Sequence, residues 1–151
     1  MKKKYFGLIM AGLLVLTGCG KEKEVKGIND YETVCGNNNY QIVDRMERYI
    51  NDSYITNSKA CVLDNGEIEM VQYDNETSAK EAQDKQIGQF KNYKSTGNII
   101  KTAKGKNYYK YTMVSNGYYM VSSRIDNTLI FTKIKLDDKD NIDKILKDMD
   151  Y

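Results

Sequence analysis

Histidine is absent from the 151 residues. Without it neither a Ser-His-Asp nor a Cys-His site can be built, and the commonest ligand of catalytic zinc is missing, which removes most hydrolase chemistry. No Ser-x-x-Lys pair exists for a serine-lysine acylase, and no glycine-rich loop for phosphate. Cysteine is scarce. Cys19, Cys35 and Cys61 are the 3 present, and with no Cys-x-x-Cys spacing to lower a thiol pKa, redox work is not expected. Neither sign of charge dominates: 23 Lys and Arg face 21 Asp and Glu. Such a balance gives no overall field for nucleic acid or anionic lipid to follow. The acid run Asp137–Asp143 does not make an EF-hand either. A loop starting at Asp138 needs glycine where Asp143 stands and a bidentate glutamate where Met149 stands. Helix capping accounts for these acids, and no metal site or soluble cofactor is expected.

Long apolar runs are also few. One extends from Tyr5 to Leu16, directly after Lys2, Lys3 and Lys4. The lysines favour the cytoplasmic side while the apolar segment enters the bilayer. A comfortable transmembrane span wants ~20 residues, more than this run supplies. Cleavage at a small-residue site is therefore expected. The order Leu16-Thr17-Gly18-Cys19 resembles the lipobox of bacterial lipoproteins. That resemblance implies a diacylglycerol on the Cys19 sulfur, a cut before this residue, and a mature protein held on the extracytoplasmic face of the cell membrane. At ~0.8 kcal/mol per buried CH₂, two acyl chains anchor lastingly where one holds only marginally. An ordinary secretory signal and a short uncleaved anchor are the alternatives. Removing the three signal lysines leaves 20 basic against 21 acidic residues, a net charge of −1.

The expected organisation is a signal peptide over 1–18, a lipidated cysteine and charged tether over 19–27, and a single domain over 28–151. Gly20–Gly27 alternates lysine with glutamate and has no apolar face, which predicts a solvated spacer of ~25 Å when extended. Ile28, Tyr31, Val34 and Cys35 fall at helical spacing, with Asn29 and Glu32 as a capping box and Gly36 as a stop. Residues 40–50 fit either a helical stripe or a strand near Gln41–Asp44 followed by a helical turn, and the second is preferred. Asn65-Gly66 predicts a type I′ hairpin pairing Leu63 with Ile68 and Cys61 with Met70. Ser78 and Glu81 cap a helix within Asn75–Tyr93, whose stripe is Ala79, Ala82, Gln86, Ile87 and Phe90. Four strands follow, Asn98–Ala103, Tyr108–Ser115, Tyr118–Arg124 and Thr128–Leu136, separated by turn residues. A helix with Ile142, Ile145, Leu146 and Met149 on one side ends the chain. Strands joined by short turns, with segregated helices, predict an α+β fold: one antiparallel sheet of about five to seven strands against two or three helices.

The run Ser78-Ala79-Lys80-Glu81-Ala82, the Asn116-Gly117 hairpin, Ser123-Arg124-Ile125-Asp126-Asn127-Thr128 and the terminal helix look like those of small surface lipoproteins of Gram-positive gut bacteria. The resemblance covers nearly the whole mature chain. No activity is assigned to that group, so it implies fold and location and leaves function open. The lack of tryptophan and proline beside abundant Lys, Asn, Ile and Tyr resembles the bias of low-GC Gram-positive genomes.

Cys35 and Cys61 are expected to face one core. They are a disulfide candidate in an oxidising compartment, or two separate buried thiols. Two-residue loops at Asn116-Gly117 and Asp126-Asn127 put Thr112, Val114, Tyr119, Val121, Ile130 and Ile134 on one sheet face. Tyr109, Tyr111, Met113, Tyr118, Met120 and Phe131 share the other. If one helix layer covers the β-branched face, the Tyr/Met face becomes an exposed aromatic binding surface; the opposite assignment is the alternative. Three functions remain. The favoured one is a non-catalytic module binding an envelope protein, a glycan or a small ligand, with no catalytic residue assigned. The second is an enzyme or accessory factor acting on cell-wall material through carboxylates, for which Glu67 and Glu69 are the nearest candidates. The third is a purely structural envelope domain.

Overall fold

Turn residues set most of the strand boundaries. The computed structural model describes the backbone of residues 15–17 and the whole of residues 20–93 and 97–151; the lipidation candidate Cys19 lies outside the described residues. In chain order the elements are β1 (Val15–Thr17), α1 (Ile28–Asn37), β2 (Gln41–Asp44), a 3-10 turn (Met46–Tyr49), β3 (Ile55–Leu63), β4 (Gly66–Tyr73), α2 (Glu76–Lys91), β5 (Ile99–Lys104), β6 (Tyr108–Ser115), β7 (Tyr118–Ile125), β8 (Thr128–Lys135) and α3 (Lys139–Asp148). The fold is α+β. Seven strands form one antiparallel sheet in the order β5-β6-β7-β8-β4-β3-β2, and β1 lies parallel along the β5 edge. At the tight turns of the meander, Asn116 and Asp126 have φ of 51° and 45°, left-handed values that Asn and Asp tolerate best among residues with a side chain.

Helices lie on both faces of the sheet. On one, Ile28, Tyr31 and Cys35 of α1 and Ile142, Ile145 and Leu146 of α3 pack on Cys61, Ile68, Met70, Val121, Ile130 and Ile134. The buried Tyr31 hydroxyl donates to the Ile68 carbonyl at 2.5 Å. A disulfide joins Cys35 to Cys61, with Cα atoms 5.9 Å apart. The second face belongs to α2. This helix carries the chain from β4, in mid-sheet, to β5 at the far edge, and crosses β8 and β7 on the way. Its Ala79, Gln83, Ile87 and Phe90 are buried, and Ile87 and Phe90 pack on Tyr111, Met113 and Met120.

That crossing overturns the exposed aromatic surface. Tyr111 is 4% exposed and Met113 and Met120 are 0%, Tyr109 and Phe131 are half-buried, and only Tyr118 is exposed. The face partition itself is as expected, since Thr112 pairs with Val121 and Met113 with Met120. What differs is that two helix layers cover two faces. The β3–β4 hairpin also turns one residue earlier, at Asp64-Asn65, so Leu63 pairs with Gly66 and Cys61 with Ile68. Face sharing survives because the slip in register is even. At Gly66 (φ 152°) a Cβ would lie 3.3 Å from the Ile134 side chain, so this glycine serves close packing. The caps move too. Gly27 caps α1, its N–H donating to Asp30 at 2.9 Å, and Asn75 caps α2, accepting from Ser78 N at 2.9 Å.

The tether is not a free spacer. Lys106 N donates to Lys21 O at 3.1 Å, and the Asn107 side chain bonds both the N–H and the C=O of Lys23, at 2.9 and 2.8 Å. Its alternating charges find partners on the domain: Glu22 with Lys106 at 2.5 Å and Lys23 with Asp150 at 3.5 Å.

Candidate binding cleft

Above β3, β4 and β8 the α2 face stays open. α2 forms one wall, and the segment between β2 and β3, with the Met46–Tyr49 turn, forms the other. Between them is a cleft of about 370 Å³, within the ~300–1,000 Å³ typical of ligand pockets. Tyr73, Leu129 and Phe131 make its floor, Tyr49 and Tyr54 one wall, and Glu81, Lys85, Gln86 and Gln89 the other. Helical geometry explains the polar wall. Residues 79, 83, 87 and 90 face the sheet, so Ala82, Gln86 and Gln89, at the same spacing one stripe over, face the cleft. Tyr54 is 56% exposed at the mouth.

An ion-pair frame holds the tyrosine wall. Arg48 Nη1 lies 2.6 Å from Glu67 Oε1 and 3.0 Å from Glu69 Oε2, and Arg45 pairs with the second oxygen of Glu67. The Glu69 side chain, 3% exposed, also accepts from the Tyr49 hydroxyl at 2.7 Å and the Ser58 hydroxyl at 2.6 Å. Burial acts to raise the Glu67 pKa, but the bonds from Arg45 and Arg48 outweigh it and hold the carboxyl below its ordinary value. Burial, and then the bond to Glu69, push the Tyr49 phenol well above its ordinary range, so it stays a neutral donor. Every oxygen of Glu67 and Glu69 thus has a donor. The two carboxylates anchor the turn that bears Tyr49, an arrangement unlike a free acid and base.

A second hollow of about 350 Å³ lies beside α3, lined in part by Lys110, Thr112, Tyr119, Lys139 and Asp143. Lys101 lines it without an ion pair among the described residues, but the polar groups at its centre are already bonded. Tyr119 donates to Asp143 at 2.6 Å, Lys139 pairs with Asp143, and Lys110, its pKa depressed by burial, donates to Tyr151 O at 3.1 Å. The α2 cleft, whose Gln86 and Gln89 amides have no partner among the described residues and whose Tyr54 ring is exposed, is the better candidate.

No family model matches the sequence, and no curated protein matches it. Among solved structures, the chain is similar to the crystal structure of a GTP binding regulator from Thermotoga maritima. The identity is 16% and the TM-score 0.46, over 85% of this chain and 90% of that one.

Of the six residues expected to form a binding surface, Phe131 reaches the cleft floor. Tyr111, Met113 and Met120 lie beneath α2, Tyr109 packs against the same cluster, and Tyr118, the first residue of β7, is exposed with Lys133 Nζ 4.8 Å from its ring centre. Sequence reasoning missed Tyr49, Tyr54 and Gln89. The Ala82-Gln86-Gln89 spacing was a usable signal for the α2 wall; nothing local marks Tyr49 and Tyr54. Among the described residues no group of three or more acids or cysteines could hold a metal ion, and no helix is long and apolar enough to cross a membrane.

Proposed function

We propose that this chain is a lipid-anchored, extracytoplasmic and non-catalytic binding module whose α2 cleft takes a glycan of the cell envelope. The observation that carries the ligand class is an aromatic floor and wall, Tyr49, Tyr54, Tyr73 and Phe131, facing the amides of Gln86 and Gln89. Aromatic faces cover the C–H faces of a sugar ring, while amides both donate to and accept from its hydroxyls. The Cys35–Cys61 bridge supports the location, since such bonds persist in oxidising compartments. The fully paired state of Glu67 and Glu69 supports binding over hydrolysis.

Calorimetric titration with soluble cell-wall glycan fragments tests the ligand. Saturable binding is expected, weakened about tenfold in Tyr54→Ala, equivalent to ~1.4 kcal/mol. If no fragment binds, or if Tyr54→Ala binds as well as the parent, the glycan reading fails. Metabolic labelling with palmitate tests the anchor separately, with label expected on the parent and none on Cys19→Ala.

A further inference from the structure

We infer that the docked tether turns the β5 edge toward the bilayer and that lysines along this edge bind anionic lipid headgroups. This rests on the lipid anchor at Cys19 proposed above. Docking is built into the domain. Lys106 N holds Lys21 O, Asn107 holds the Lys23 backbone from both sides, and Gly105 makes room for them. A Cβ at Gly105 would sit 2.5 Å from Lys21 O and 2.1 Å from the Tyr108 ring, so a side chain there would displace the strap.

With Lys21 fixed, one residue separates it from Cys19. An extended chain advances at most ~3.5 Å per residue, so the anchor lies within ~7 Å of Lys21. The chain on the other side of Cys19 runs to the same edge, with Thr17 opposite Lys104. Once the signal is removed, β1 is gone and the β5 edge is bare. The part of the domain nearest the acyl chains is thus the β5–β6 end, where Lys21, Lys101, Lys104 and Lys106 are exposed. Lys106 pairs with Glu22; Lys21, Lys101 and Lys104 make no ion pair with another described residue. Glu22 and Glu24 of the strap lie at the same end, Glu22 held by Lys106, and the near-zero total charge hides the unpaired Lys21, Lys101 and Lys104. Only charges within about 8 Å of a headgroup layer feel it strongly at physiological salt, and the strap selects which charges those are.

The test uses the lipidated full-length protein on vesicles of phosphatidylcholine alone or with about one quarter phosphatidylglycerol, and measures amine acylation lysine by lysine by mass spectrometry. On the anionic vesicles Lys101 and Lys104 are expected to react about fivefold more slowly, with the protection lost in ~1 M salt, while Lys80 and Lys85 of α2 are unchanged. Asn107→Ala and Gly105→Ala should each restore reactivity with the protein still vesicle-bound; protection that persists in both overturns the role of the strap. Equal rates on the two vesicle types, with the protein bound to both, overturn this inference alone. A protein that floats with neither vesicle overturns the anchor and the inference together.

Discussion

The two faces of the sheet are built from different chemistry. Beneath α1 and α3 the contacts are chiefly aliphatic, tyrosine and methionine side chains, the buried polar groups of strands β7 and β8 there are the small hydroxyls of Ser123, Thr128 and Thr132, and a disulfide closes the face. Beneath α2 and the Met46–Tyr49 turn, buried Ser58, Glu69, Gln83, Ser122 and Arg124 mingle with methionine and phenylalanine, and a cleft stays open. Burying polar groups stabilises little even when they are bonded, so the first face supplies the stability that leaves the second free to hold a ligand. The strongest test lies in two adjacent residues of β8. Ile130 is fully buried on the closed face and Phe131 floors the cleft. Ile130→Ala should cost ~3–4 kcal/mol, and the larger truncation Phe131→Ala only ~1–2, because one side of its ring has no packing to lose. Urea unfolding at unchanged m-value measures both, and equal losses would erase the distinction.

The disulfide sharpens the same contrast. Its cysteines are 26 residues apart, so replacing both by alanine should cost ~3 kcal/mol in the chain-entropy picture. Because the bridge sits on the closed face, glycan affinity should be unchanged at temperatures where the variant is folded. A parallel loss of affinity would mean that the two faces are coupled.

How far the sequence reaches also differs between the faces. β2, β6, β7 and β8, the apolar stripe of α3 and the partition of side chains between faces were all legible, because each depends on neighbours within one turn or one hairpin. The side on which α2 lies was not. A strand's alternation says which residues share a face and nothing about which face a distant helix covers. The tyrosine wall depends on Arg45 and Arg48 meeting Glu67 and Glu69, about twenty residues later in the chain. The docked tether depends on Asn107, 84 residues beyond Lys23. Lysine alternating with glutamate looks like a spacer until its partners are known.

Acid should loosen the Met46–Tyr49 wall of the cleft. The Glu67 carboxyl is held below its ordinary value in the folded state. Its contribution is therefore complete above the unfolded pKa of ~4.3 and disappears as pH falls through the lower folded value. Glu67→Gln should cost ~1 kcal/mol near neutral pH and flatten the acid limb of the stability profile, with the variant and parent converging at low pH. Parallel profiles would show that Arg45 and Arg48 do not hold the turn through this side chain.

The smallest effect expected has the opposite sign. Gly88 lies in the middle of α2, exposed, and a Cβ there meets nothing within 4 Å. Glycine inside a helix costs ~0.5–1 kcal/mol relative to alanine, mostly in unfolded-state entropy. Gly88→Ala should thus raise the melting temperature by roughly 2–4 °C for a domain of this size. The substitution stiffens one wall of the cleft without touching its lining, which separates two ways in which the open face could work. If the cleft is preformed, the stiffer helix should leave glycan affinity within about twofold of the parent. A clear loss of affinity alongside the gain in stability would mean that α2 yields as the ligand enters, and that the open face stays open because its helix is weak.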